Sequence, residues 1–148
     1  MIRVGDYLLP YDPAPVIERY KPIFEHLAQE VDQMREVWHH LAPVWRPRRD
    51  ELLQEEGLKI DMGMVTKDGY GVVMKKGEPA RFLINGRLCK PDYILNLLTH
   101  EVRLPDELDR VIARLQSVIQ RFWRAIARMK EEALEHTRQE ADHRSLLV

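Results

Sequence analysis

Within RVIARLQSVIQRFWRAIARMK, residues 110–130, five arginines recur at helical spacing: Arg110, Arg114, Arg121, Arg124 and Arg128. At about 100° per residue, Arg110, Arg114, Arg121 and Arg128 fall within about 40° of one another. Arg124 lies about 40° to the other side of Arg110, and Ser117 fills the gap. Such a ridge could follow phosphates, because a guanidinium stays charged and presents forked donors that match phosphate oxygens. It could also meet an acidic protein surface, or only water, since charged residues populate any solvated helix face. Its mean direction lies roughly 135° from the apolar residues of the same segment, so it is expected to face solvent unless a partner covers it.

A second basic cluster, Trp45, Arg46, Arg48 and Arg49 in VWRPRRD, sits on a proline-flanked connection. Arginine beside a stacking ring suits single-stranded nucleic acid or a binding hot spot. The plainer reading is that Trp45 caps the core. An acidic counterpart, Glu25, Asp32 and Glu36, lies within about 40° of arc on an earlier helix, opposite that helix's apolar side. Two copies of the chain could pair acidic ridge to basic ridge, so self-association is one way to account for both.

Two segments match Glu-x-x-His, the spacing of di-iron helical bundles: Glu36 to His39 and Glu140 to His143. The first is aimed away from its own apolar arc, whereas metal ligands in a bundle project inward. The second continues the apolar stripe through His136, Glu140 and His143, but matching inward carboxylates on other helices are missing. A metal-dependent enzyme built on that end is the third reading, after an assembly protein and a nucleic-acid binder. No glycine-rich phosphate loop or serine elbow occurs, and Ser117 and Ser145 lie on the last helix and tail. Cys89, which could meet His100 in space, has the ordinary character of a small core residue. The chain is therefore expected to be non-enzymatic and to need no cofactor.

The elements that must position these residues follow from composition and periodicity. The chain has 148 residues, enough for one domain with a real core. With 23 Lys+Arg against 24 Asp+Glu the net charge is -1, which removes any global electrostatic argument for nucleic acid and leaves only local ones. A lone cysteine points to a reducing, cytoplasmic setting, and neither a leader pattern nor a membrane-length apolar run is expected. Ser, Thr and Asn are scarce while Arg, Glu and Leu abound, the balance of heat-adapted proteins built on ion-pair networks.

Residues 2–9 predict a short strand, and Asp12 before Pro13 predicts a helix cap. A helix is expected at 22–42, opening on Pro22, with Phe24, Leu27, Val31, Met34, Trp38 and Leu41 on one arc about 100° wide. A shorter helical segment, RRDELLQEE, is expected to end at Gly57. Leu58, Ile60, Met62 and Met64 alternate with polar or small residues as in a half-buried strand. Asp68-Gly69 and Asn85-Gly86 are hairpin dipeptides, so residues 58–89 predict an antiparallel meander of three or four strands with a mild lysine and arginine surplus. A short helix is expected at DYILNLLTH. A last helix, with Asp106 and Glu107 in its first turn, is expected to run to about residue 141, its apolar arc about 140° wide and so touching more than one neighbour.

The expected fold class is α+β, mainly α: two long amphipathic helices and two or three short ones around a small antiparallel meander. It is read as a single domain over 1–148. Its parts are an N-terminal strand and turn (1–12), a helical region (13–57), the meander (58–90), a second helical region (91–141) and a frayed tail (142–148). The expected role is a regulatory or assembly protein that docks on a larger protein or nucleoprotein machine through its charged helix faces. Nucleic-acid binding through the arginine ridge is the rival, self-association a further expectation, and membrane insertion is not expected.

Overall fold

The computed structural model describes residues 2–4, 7–9, 12–41, 46–61, 64–75, 81–90 and 105–147, and the side chains of 12–41, 48–59, 68–75, 81–90 and 106–141. The described elements are mainly helical with antiparallel sheet, an α+β arrangement. Strands β1 (Ile2–Val4) and β2 (Tyr7–Leu9) form a hairpin, where one continuous strand was expected. Gly5-Asp6 between them is a dipeptide of hairpin type, a signal that the apolar run around it masks.

Helix α1 (Pro13–Leu41) starts nine residues before the expected Pro22. Asp12 caps it, its carboxylate accepting from the Ala14 N–H at 3.0 Å. Pro22 lies inside the helix, contrary to the expectation that it would open one. An interior proline costs about 3 kcal/mol. Here Pro22 is exposed, while Tyr20, Phe24 and Leu27 around it are buried, so the core contacts of both flanking turns hold the helix through it.

Helix α2 (Arg46–Glu55) ends as expected at Gly57, which adopts φ 72°. The Leu58 N–H donates to the Leu53 carbonyl at 2.9 Å and the Gly57 N–H to the Gln54 carbonyl at 2.9 Å. This double closure satisfies the last carbonyls and buries Leu58.

An antiparallel meander follows, with five strands among the described residues where three or four were expected: β3 (Lys59–Asp61), β4 (Met64–Lys67), β5 (Tyr70–Val73), β6 (Phe82–Ile84) and β7 (Arg87–Cys89). The run from Leu58 to Met64, read as one strand, is divided between two, with Asp61 opposite Met64 and Lys59 opposite Thr66. The apolar spacing of Leu58, Ile60, Met62 and Met64 runs unbroken across the division, which is why periodicity alone did not reveal it. Both predicted turns have positive φ at both central residues, Asp68 and Gly69 in one and Asn85 and Gly86 in the other. They lie side by side, the Gly86 N–H donating to the Gly69 carbonyl at 2.9 Å.

Helix α3 (Pro105–Leu147) extends past the expected end near residue 141, so the segment from 142 continues the helix where a frayed tail was expected. Neither Gly nor Pro interrupts it there. The short helix expected at DYILNLLTH lies outside the described residues.

Buried side chains of α3 from Leu108 to Met129 form the centre of the core with Tyr20, Phe24, Leu27, Val31, Met34 and Trp38 of α1 and Leu52 and Leu53 of α2. The wide apolar arc of α3 touches α1, α2 and β5, as its width implied. Tyr20 donates to Asp109 at 2.9 Å and Trp38 packs edge-on against Phe122, so α1 and α3 run in the same direction. Beyond Met129, residues 134–141 of α3 are exposed.

Burial, then the hydrogen bond to Asp109, raises the Tyr20 phenol above its ordinary pKa of 10.0. In the pH window between the unfolded and folded values the folded state holds more protons than the unfolded one. This contribution to stability is therefore full below about pH 10 and is lost as pH rises through the folded value. Chemical denaturation from pH 9 to 11 should show a decline in unfolding free energy that Tyr20→Phe makes shallower. An equal slope in both proteins would contradict the assignment.

Candidate anion-binding face on the last helix

The end of α2 and the β4–β5 hairpin divide the arginine ridge of α3 into halves with different surroundings. At the C-terminal half, Arg124 Nε lies 3.0 Å from Glu56 Oε2, and Arg128 pairs with Glu55. Both carboxylates come from the C-terminal end of α2, carried there by the packing of Leu52 and Leu53 into the core. These two arginines therefore do not stand free in solvent as expected. The pairs lie at least partly exposed, where an ion pair is worth about 0–1 kcal/mol, so their main effect is to neutralise that end of the ridge.

At the N-terminal half, Arg110, Arg114 and Arg121 form no ion pair among the described residues. Arg110 is exposed. The Arg114 guanidinium lies over the ring of Tyr70, 4.9 Å from its centroid, within cation–π range. Tyr70 is buried and begins β5. Arg121 and Ser117 are half-buried. With Asp68, Tyr70 and Val118 these residues line a cleft of about 390 Å³ between α3 and the Asp68-Gly69 turn.

Of the second basic cluster, Arg48 is drawn against α3. Arg48 grips Glu132 of α3 through two bonds of 3.0 Å and also pairs with Glu51. The bonds to Glu132 hold its guanidinium above the ordinary arginine value. Arg48 thus joins α2 to α3. Arg49 pairs with its neighbour Asp50 at 3.2 Å. Trp45 lies outside the described residues, and Arg46 is described in its backbone alone, as the first residue of α2.

On α1, Glu25 and Glu36 are exposed, whereas Asp32 pairs with Arg35. Arg35 is the buried charged side chain of the described core, and its Nη1 donates to the Lys75 carbonyl at 3.1 Å. One turn on, the His39 Nε2–H donates to the Met74 carbonyl at 2.7 Å. The two side chains together tie α1 to the backbone just after β5. His39 is thereby engaged in holding α1 to that backbone. His136 and Glu140 form an exposed pair at 3.1 Å, while the side chain of His143 lies outside the described residues. Among the described residues no three metal-type side chains converge.

Sequence reasoning named Arg114, Ser117 and Arg121 but missed their neighbours Asp68 and Tyr70. All four residues of β5 are buried, so the strand carries no alternation that would mark Tyr70 as facing the helix. Nothing local distinguished Asp68 from an ordinary turn residue.

No helix among the described residues is long and apolar enough to cross a membrane. No family model, characterised protein or solved structure matches the chain.

Proposed function

We propose that this is a non-enzymatic regulatory or assembly protein that docks on a larger protein or nucleoprotein complex through charged helix faces. The docking charges are Arg110, Arg114 and Arg121 of α3. The observation that supports this reading is the asymmetry of the ridge: α2 supplies carboxylates to Arg124 and Arg128 but none to the three arginines nearer the helix start. Cations on a helix that form no ion pair among the described residues attract an acidic surface, speed encounter and select against basic partners. The remaining acidic ridge at Glu25 and Glu36 offers the complementary charge for a second copy. A cytoplasmic setting belongs to the same proposal and rests on the single cysteine.

Affinity purification from native extract should recover a defined component that Arg110→Glu with Arg121→Glu abolishes. Arg124→Ala with Arg128→Ala, which touches only the neutralised half, should retain it. Recovery that is equally sensitive to both pairs would remove the division of labour. For the nucleic-acid reading, three available cations limit the slope of log affinity against log salt to about -3, since each neutralised phosphate contributes about -0.9. No binding to DNA or RNA even at low salt sinks that reading and leaves docking intact. Light scattering across a wide concentration range separates self-association from docking on another protein.

A further inference from the structure

The geometry points to a small-ligand site beyond any docking role: we propose that the cleft lined by Asp68, Tyr70, Arg114, Ser117 and Arg121 binds a small phosphate monoester bearing hydroxyl groups, the sugar-phosphate class. Arg114 and Arg121 hold the phosphate, Ser117 donates to it, and Asp68 accepts from a ligand hydroxyl.

The spacing supplies the phosphate end. Arg114 and Arg121 are seven residues apart, about 10.5 Å along the helix axis and on nearly the same side, with Ser117 between them. Both arginines and Ser117 line the same cleft, so their side chains can share one phosphate. Arg114 is oriented in advance, because the Tyr70 ring beneath it is buried and fixed in the sheet. A guanidinium held over a ring can still donate its forked N–H groups to an oxyanion. Pre-orientation lowers the ordering cost of binding.

Asp68 sets the other requirement. Its carboxylate lines the same cleft yet forms no ion pair with Arg114 or Arg121, so cationic and anionic walls stand apart. A polyanion would bring a second phosphate toward that carboxylate and be repelled. A ligand with phosphate at one end and hydroxyl donors at the other satisfies both walls. The volume of about 390 Å³ falls within the roughly 300–1,000 Å³ of small-molecule sites.

Isothermal titration of the full chain with ribose 5-phosphate, inorganic phosphate and ribose tests this. Ribose 5-phosphate should bind one saturable site, more tightly than inorganic phosphate, and ribose should not bind. Arg121→Gln should weaken ribose 5-phosphate about tenfold or more, by removing charge-assisted bonds. Asp68→Asn should weaken ribose 5-phosphate while leaving inorganic phosphate unchanged or tighter. Arg110→Gln, outside the cleft, should change neither. Each variant is compared at matched circular dichroism and melting midpoint. Absence of saturable binding by the folded wild type at millimolar ligand overturns the proposal. Binding unaffected by Arg121→Gln, or equal affinity for ribose 5-phosphate and inorganic phosphate, does the same. Loss of partner capture with ligand binding retained would concern the docking role alone.

Discussion

Phe122→Ala should be the most destabilising of the simple truncations in this core, at about 3–5 kcal/mol. Phe122 is fully buried on α3 and meets the Trp38 ring of α1 at 4.8 Å between centroids and 65° between planes. Truncation removes the transfer energy of the ring and leaves a cavity that the helices on either side cannot close, because both are anchored by further buried side chains along their length. The edge-on aromatic contact adds about 0.5–1.5 kcal/mol beyond the buried area. Against a total stability of about 5–15 kcal/mol, this is a large share. At this chain length each kcal/mol lowers the melting midpoint by roughly 2–4 °C, so the fall should be about 6–20 °C. Phe122→Leu, which keeps most of the volume, should lose clearly less. A loss under about 1 kcal/mol for Phe122→Ala in urea titration would mean that the contact between α1 and α3 does not govern stability. The melting midpoint of the unsubstituted protein also tests its composition: a value in the ordinary mesophile range would count against heat adaptation.

Gly69→Ala and Gly86→Ala should separate by more than their shared backbone conformation accounts for. Both glycines have φ of 80°, where a side chain costs about 1–2 kcal/mol. A Cβ at Gly86 meets nothing within 4 Å. At Gly69 it would lie 3.2 Å from the Gly86 nitrogen and 3.3 Å from the Asn85 Cα, both backbone atoms of the adjoining turn. Neither can swing aside as a flexible side chain would, and the Gly86 N–H is already committed to the Gly69 carbonyl. Overpacking of this kind adds about 1–3 kcal/mol, so Gly69→Ala should cost about 2–5 kcal/mol in all and Gly86→Ala only the backbone share. Equal losses from the two substitutions in parallel urea titrations would show that the turns part freely. Because Gly69 adjoins Asp68, Gly69→Ala should also disturb the cleft, whereas Gly86→Ala should spare it.

The features legible in the sequence share one property: each is written within a few neighbouring residues. The apolar arcs of α1 and α3 repeat every three or four positions, and the expected members are buried or half-buried. The Asp12 cap, the Gly57 stop and the two positive-φ turns depend on side chains at fixed local offsets, and each formed where it was expected. The hidden division of the run from Leu58 to Met64 marks the limit of that kind of signal, since alternation says which face a residue takes but not where a strand folds back.

By itself, then, the sequence determined the class of fold, the core faces of the two long amphipathic stretches, and the existence of an arginine ridge directed away from one of them. Only the tertiary structure decided what that ridge has left to offer. Arg124 meets Glu56 across 68 positions and Arg48 meets Glu132 across 84, pairings set by how α2 lies on α3. The same packing keeps Pro22 inside a helix and Arg35 in the core, and brings Tyr70 under Arg114. Periodicity and capping report on neighbours along the chain. Neutralisation of a charge, tolerance of a proline and the shape of a cleft depend on residues distant in sequence that the core brings together.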